Sequence, residues 1–175
     1  KRGSRIWLRH LLFAARVLAI LFLVLALARP QSSTSWQTYN SEGIDIMLAL
    51  DISGSMLARD FTPDRLEAAK EVATKFILER PQDRIGLVVF SGESFTQSPL
   101  TTDQAVLVNV MKDIHSGMIE VGTAIGLGLA NAVNRLKDSK AKSKVIILLT
   151  DGVNNRGAIA PMTAAELAKT FGIRV

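Results

Sequence analysis

The apolar residues of this chain follow two patterns, short unbroken runs and segments with one apolar face. Almost unbroken runs at 44–50, 85–90 and 145–149 predict strands that are buried on both faces, as in the middle of a parallel sheet. Segments with one apolar face predict amphipathic helices at 63–80, 103–114, 124–136 and 163–171. The short polar segment 95–100 contains Pro99, which favours an antiparallel edge strand, and Ile173 begins a further strand. This alternation predicts an α/β fold with a doubly wound, mostly parallel sheet and one antiparallel edge strand.

The first 42 residues have a different pattern. Residues 11–28 are apolar except for Arg16, and as a helix they would extend about 27 Å, close to the roughly 30 Å hydrocarbon core of a bilayer. We therefore predict a basic flank at 1–10, a transmembrane helix at 11–28, a polar linker at 29–42 and one domain at 43–175, which we expect to be incomplete at its C-terminus. A cleaved signal peptide is the alternative, although Ala28-Arg29-Pro30 is a poor cleavage site.

The charge of the chain is concentrated at its N-terminus. The net charge is +5, yet residues 1–29 carry six Lys or Arg and no acid, whereas the remainder carries 15 basic and 16 acidic residues. The predicted domain therefore lacks the basic surface that nucleic-acid binding requires. Because the basic residues precede the predicted helix, the positive-inside rule places the domain outside the bacterial inner membrane, in the periplasm.

Candidate chemistry begins where the first predicted strand ends. Asp51 terminates the apolar run, and Ser53 and Ser55 follow at alternate positions. In open α/β sheets ligands bind just beyond the carboxyl ends of the strands. One carboxylate and two hydroxyls are hard oxygen ligands, which favour Mg²⁺ or Mn²⁺ over zinc or copper. Helix capping is the alternative role for these serines.

The run Asp51-Ile-Ser53-Gly-Ser55 resembles the metal-ion-dependent adhesion site (MIDAS) of von Willebrand factor A domains. Asp151, in Leu-Leu-Thr-Asp-Gly, matches the second acid of that motif, and Thr123, in Val-Gly-Thr-Ala-Ile, matches its threonine in preference to Thr101 or Thr102. The resemblance implies a divalent cation contacted by the three hydroxyls, with the two acids acting mainly through waters. It also implies a binding module, not an enzyme, whose metal takes an Asp or Glu of a partner protein.

An enzymatic alternative rests on the same acids. Asp51-Ile-Ser-Gly-Ser and Thr-Asp151-Gly also resemble the phosphoryl-transfer motifs of the haloacid-dehalogenase superfamily. That resemblance implies Asp51 as the nucleophile, Asp151 as a Mg²⁺ ligand and Lys142 or Lys144 as the lysine of the family. Ser53 stands where most such phosphatases carry a second Asp, and Thr123 would have no role.

A narrower resemblance combines the N-terminal segment with the site. The apolar helix, the polar linker and the motif at Asp51 are similar to membrane-anchored bacterial aerotolerance proteins of the BatA type. This implies a function in envelope complex assembly or stress tolerance. It implies other Bat-type membrane proteins and a MoxR-type AAA+ ATPase as partners, the cytosolic ATPase being coupled through membrane helices or cytoplasmic loops.

Several other residues receive structural interpretations. Gly122, Gly126 and Gly128 neither follow a strand nor precede a Lys-Ser/Thr pair, so we assign them to close helix–sheet packing and not to nucleotide binding. We assign solvated or capping roles to the loop acids, with a role in shaping the surroundings of the metal as the alternative; they are Asp60, Asp64, Glu93 and Asp103.

Overall fold

The computed structural model describes residues 3–27 and 43–175, which belong to two separate units. The first unit contains helix α1 (Gly3–Leu27), whose described side chains are exposed. Across the described residues, no helix has both the length and the apolar character needed to cross a bilayer. The segment predicted as the transmembrane helix, 11–28, is helical up to Leu27. Ala28 and the predicted linker at 29–42 lie outside the described residues.

The second unit is built on a five-stranded sheet. Its strands are β1 (Asp45–Asp51), β2 (Arg84–Phe90), β3 (Ser94–Thr101), β4 (Lys144–Leu149) and β5 (Ile173–Arg174). Their spatial order is β3-β2-β1-β4-β5, and every pair is parallel except β2 with β3. The predicted mostly parallel sheet with one antiparallel edge strand is confirmed. β1 lies at the centre and is buried throughout, which explains its unbroken apolar run.

Helices cover both faces of the sheet. They are α2 (Arg65–Leu78), α3 (Gln104–Asp113), α4 (Ile125–Leu136) and α5 (Pro161–Thr170). Alternate residues of β1 enter opposite cores. Ile46 and Leu48 pack with the residues of α2 and α3, whereas Met47 packs with those of α4 and α5. Asp64 and Asp103 cap α2 and α3 by accepting backbone hydrogen bonds at 2.9 and 3.1 Å, which confirms their capping role.

The strand register brings the site residues to one edge of the sheet. In β1, Asp51 pairs with Phe90 of β2, and Leu50 pairs with Leu149 of β4. The residues that follow β1 and β4 therefore leave the sheet side by side. At the opposite end of β1 the buried carboxylate of Asp45 is paired with Arg84, whose Nε lies 2.7 Å from Oδ1.

Candidate metal centre

Asp51 is the buried centre of the candidate site. Its side chain is fully enclosed, and both carboxylate oxygens accept hydrogen bonds. The backbone N–H of Ser53 donates to Oδ1 at 2.8 Å, and the hydroxyl of Thr150 donates to Oδ2 at 2.6 Å. Thr150 directly follows β4, so this second hydrogen bond joins the ends of two neighbouring strands. The Asp51 carboxylate is thereby held in one orientation at the carboxyl edge of the sheet.

The two serines connect this carboxylate to the second acid. The turn after β1 is a short 3₁₀ helix, Gly54–Leu57, and it brings Ser53 Oγ within 3.0 Å of Ser55 Oγ. The Ser55 hydroxyl in turn donates to Oδ1 of Asp151 at 2.9 Å. Residues that are 96 positions apart along the chain thus meet in one hydrogen-bonded row. This is the convergence that the alternation of Asp51, Ser53 and Ser55 predicts.

Thr123 lies close to Asp51 and supplies the third candidate hydroxyl of the site. Its side chain is nearly buried, and its hydroxyl and Oδ2 of Asp51 each lie 3.7 Å from the point where a Cβ on Gly152 would stand. The backbone of Thr123 is fixed by Asn155, whose amide oxygen accepts from the Thr123 N–H at 2.8 Å and whose own N–H donates back at 3.0 Å. A Cβ at Gly152 would stand 3.2 Å from the Thr123 methyl group, so a larger residue would displace the Thr123 side chain by a few tenths of an ångström.

Arg65 supplies a positive charge at the rim of the site. Arg65 is the first residue of α2. Its guanidinium donates to Asp151 Oδ2 and to both carboxylate oxygens of Asp60; the Arg65 Nε lies 2.8 Å from Asp60 Oδ1 and 2.9 Å from Asp60 Oδ2. The hydrogen bond from Arg65 lowers the pKa of Asp60 below its ordinary value. The hydrogen bonds to Asp60 and then to Asp151 raise the pKa of Arg65. The guanidinium therefore stays charged at any pH the fold tolerates.

All five residues predicted as site residues lie at this edge, and the rival residues do not. Thr101 pairs with Ile85 at the start of β2, which is the opposite end of the sheet. Lys144 pairs with Asp45 and lies at that same distant end, and Lys142 precedes it. The lysine assignment of the phosphotransferase alternative is therefore wrong.

The sequence interpretation missed three contributors. They are Thr150, Asn155 and Arg65. Thr150 had a detectable signal, since it is a polar residue between a buried strand and a candidate acid. Arg65 had none, because its reach to Asp151 depends on where α2 packs. Asp60, interpreted as solvated or capping, instead anchors Arg65 beside the site.

The chemistry of this cluster fits a hard divalent cation. Its donors are carboxylate and hydroxyl oxygens, and among the described residues no three His, Cys, Asp or Glu side chains cluster as a metal site. Any metal held here would rely on the hydroxyls. A surface cleft opens over the donors; it is lined by Ser53, Gly54, Ser55, Val121, Gly122, Thr123, Val153 and Asn155. The cleft therefore leads from solvent to the three hydroxyl residues, whereas Asp51 stays enclosed behind them.

Comparison with known proteins identifies a domain family. A family model described as von Willebrand factor type A domain matches residues 46–154, which include all five residues predicted as site residues. A protein of Borreliella burgdorferi is 38% identical over 159 residues, covering 90% of this chain and 47% of the relative. The chain thus spans about half the length of the relatives it matches.

Solved structures share both the fold and part of the sequence. An aerotolerance-related membrane protein from Bacteroides fragilis has a TM-score of 0.70 and 37% identity, covering 75% of this chain and 64% of that one. Proximal thread matrix protein 1 from the mussel byssus, solved with a zinc-occupied MIDAS motif, has a TM-score of 0.66 and 27% identity. That match covers 76% of this chain and 35% of the mussel protein.

Proposed function

The chain belongs to the von Willebrand factor type A domain family, and from that premise we propose that it is a metal-dependent binding module. In this proposal Ser53, Ser55 and Thr123 hold a divalent cation through their hydroxyls, and the two acids support it. The physiological cation is Mg²⁺ or Mn²⁺, and it captures an Asp or Glu side chain of a partner protein. The supporting acids are Asp51 and Asp151.

One observation carries this proposal. The hydroxyl of Ser55 bridges the two halves of the site, lying 3.0 Å from Ser53 Oγ and 2.9 Å from Asp151 Oδ1. These three donors are therefore already assembled beyond the ends of the adjacent strands β1 and β4, and the ordering entropy of gathering them is spent in folding. Preassembly of oxygen donors is what a hard cation needs in order to bind tightly.

The donor types also favour binding over catalysis. A cation held largely by neutral hydroxyls keeps its positive charge, so it supplies an electrophilic site for one further anionic oxygen. A nucleophilic role for Asp51 is disfavoured because the side chain is fully buried and both of its oxygens are engaged. With the candidate lysine at the other end of the sheet, we propose no enzymatic activity for this chain.

A cellular setting follows from the structural relatives. We propose that the domain lies on the periplasmic face of a bacterial inner membrane and is held there by the N-terminal segment. In support, a relative is described as an aerotolerance-related membrane protein, and Phe13, Ile20 and Phe22 of α1 are each more than 60% exposed. The proposed role is in envelope complex assembly or stress tolerance, with other Bat-type membrane proteins as partners and a MoxR-type AAA+ ATPase coupled from the cytosol.

Thermal unfolding of the chain with Mg²⁺, Mn²⁺ or chelator tests the metal site. A cation at 100 times its Kd adds about 2.7 kcal/mol to the free energy of unfolding, which raises the midpoint by about 5–10 °C. Ser53→Ala should abolish this rise because it removes a metal-contacting hydroxyl. Ser98→Ala, which alters a buried serine of β3 remote from the site, should keep it. A rise of equal size in Ser53→Ala would contradict a hydroxyl-based site, and no rise in the parent would contradict the proposal.

Thr150 gives a second test of the same site. Its hydroxyl fixes Asp51 at 2.6 Å, so Thr150→Val should leave the carboxylate misoriented and weaken Mn²⁺ binding by about tenfold. Thr150→Ser retains the hydroxyl and should bind nearly as tightly as the parent. Isothermal titration with Mn²⁺ measures both affinities. Equal affinities for the Val and Ser variants would show that the hydroxyl of Thr150 has no part in the site.

A further inference from the structure

Asp151 is shared between the candidate metal site and a basic side chain that the family motif does not contain. Its Oδ1 faces the site and accepts from Ser55 at 2.9 Å, whereas its Oδ2 accepts from the Arg65 guanidinium. Arg65 is held in place from its other side by Asp60. One carboxylate therefore faces a candidate cation site with one oxygen and a fixed cation with the other.

The contacts of Arg65 lie at the protein surface and are partly covered. The side chains of Arg65 and Asp151 are 32% and 15% exposed, and Asp60 is 48% exposed. Charges in such positions interact more strongly than in bulk water but are still screened by salt. Arg65 is thus close enough to alter the affinity of the site, and its influence can be measured by varying ionic strength.

The carboxylates at and beside the site outnumber the one guanidinium that contacts them. Two carboxylates belong to the site, Asp51 and Asp151, and a third, Asp60, lies beside Arg65, whose guanidinium is the opposing charge contacting Asp60 and Asp151. Their sum is two negative charges, which a dication would neutralise. Without Arg65 the same metal-loaded cluster would keep one negative charge, and that charge would repel an approaching carboxylate.

We propose that Arg65 sets the ligand preference of the site: it weakens binding of the divalent cation and strengthens binding of the acidic ligand to the metal-loaded form. This inference rests on the proposed function. Arg65 acts through Asp151 and through its charge, so it is a positioning and specificity residue and does not ligate the metal. Weaker cation binding combined with stronger carboxylate binding suits a module whose function is to bind an acidic ligand through its metal.

The first measurement is Mn²⁺ affinity by isothermal titration. Arg65→Gln should bind Mn²⁺ about fivefold more tightly than the parent, because one positive charge beside the dication is lost. Asp60→Asn should bind Mn²⁺ about fivefold more weakly, because one negative charge is lost and Asp151 remains the only carboxylate that pairs with Arg65. Arg65→Lys keeps the charge and should lie within about twofold of the parent.

A matched control separates this local effect from general charge. Arg80→Gln makes the same charge change just beyond the other end of α2, about 20 Å along the helix, and should leave the Mn²⁺ affinity unchanged. Raising NaCl from about 50 to 500 mM should shrink the Arg65→Gln effect, since the Debye length falls severalfold. A merely structural role of Arg65 would produce neither the opposite signs nor the salt dependence.

The second measurement uses acetate as the smallest carboxylate ligand. Mn²⁺ bound to the protein broadens the acetate methyl resonance when acetate reaches the metal, so titration gives the acetate affinity. We expect Arg65→Gln, saturated with Mn²⁺, to bind acetate about fivefold more weakly than the parent. Arg65→Lys should again resemble the parent.

The outcomes distinguish this inference from the proposed function. If the parent binds Mn²⁺ and loses it in Ser53→Ala, but Arg65→Gln binds Mn²⁺ no more tightly than the parent, the inference is overturned and the metal site stands. Unchanged acetate binding in Arg65→Gln overturns the acidic-ligand half of it. If the parent binds no Mn²⁺, both fall. Should Arg65→Gln fail to fold in chelator, the weaker binding expected of Asp60→Asn decides.

Discussion

Asp51→Asn is expected to stabilise the metal-free fold while abolishing its response to metal. Asp51 is fully buried, and its oxygens accept from the Ser53 N–H and the Thr150 hydroxyl. Asn has the same shape, still accepts from Ser53, and can donate to the Thr150 oxygen after that hydroxyl rotates. The substitution removes a buried negative charge, which is costly unless a cation neutralises it. We expect a gain of about 1 kcal/mol, or about 2–4 °C in the midpoint measured in chelator.

Asp45→Asn is the matched control for this prediction. Asp45 lies in the same strand and is equally buried, but it is paired with Arg84 and also accepts from Ser139. Here the same substitution breaks an ion pair, so it should lower the midpoint while leaving the metal response intact. If Asp51→Asn lowered the midpoint as much as Asp45→Asn does, the charge at position 51 would be structural and not a cost retained for function.

Of the substitutions discussed, Gly126→Ala is expected to lower the free energy of unfolding the most. A Cβ at this position would stand 1.9 Å from the carbonyl oxygen of Ile159 and 3.0 Å from the carbonyl carbon of Ala160. Both atoms belong to the backbone that leads into α5. The added methyl group can therefore be accommodated only if this backbone moves, because no side chain is in the way. We expect the free energy of unfolding to fall by about 3 kcal/mol, measured by urea denaturation.

Gly54→Ala makes the same chemical change in open space. No atom lies within 4 Å of the added Cβ, so the free energy of unfolding should change by less than about 0.5 kcal/mol. A similarly small effect for Gly126→Ala would mean that α4 does not approach Ile159 as closely as described. The comparison isolates packing from the intrinsic preference of alanine for helices, which acts in favour of both variants.

The fold was largely predictable because the residue pattern of each strand indicates whether that strand is buried on both faces or lies at the edge of the sheet. The unbroken apolar run of β1 indicates a strand buried on both faces, and Pro99 correctly marks β3 as the antiparallel edge. The assignment of Gly128 to close helix packing is likewise confirmed, since its added Cβ would meet the ring of Phe90 in β2 at 2.6 Å. These features follow from local sequence, and so they could be predicted from it.

The site was predictable only in its donors. Asp51 and Asp151 each end a buried run, and parallel strands place their carboxyl ends together, so their convergence follows from topology. The hydrogen bond from Thr150 and the reach of Arg65 do not follow, because they depend on side-chain conformation and on helix packing. The residues that contact the candidate donors are therefore harder to predict than the candidate donors themselves.

The central position of β1 also has a kinetic consequence. Asp51 and Thr150 are joined in the folded domain although they are 99 residues apart in the chain. Contacts of such long range form slowly because closing the intervening loop costs entropy. The two halves of the site therefore meet only when β4 pairs with β1, and we expect this pairing to form late in folding. A cation bound there would leave the folding rate unchanged and slow unfolding, and so lengthen the lifetime of the domain against proteolysis.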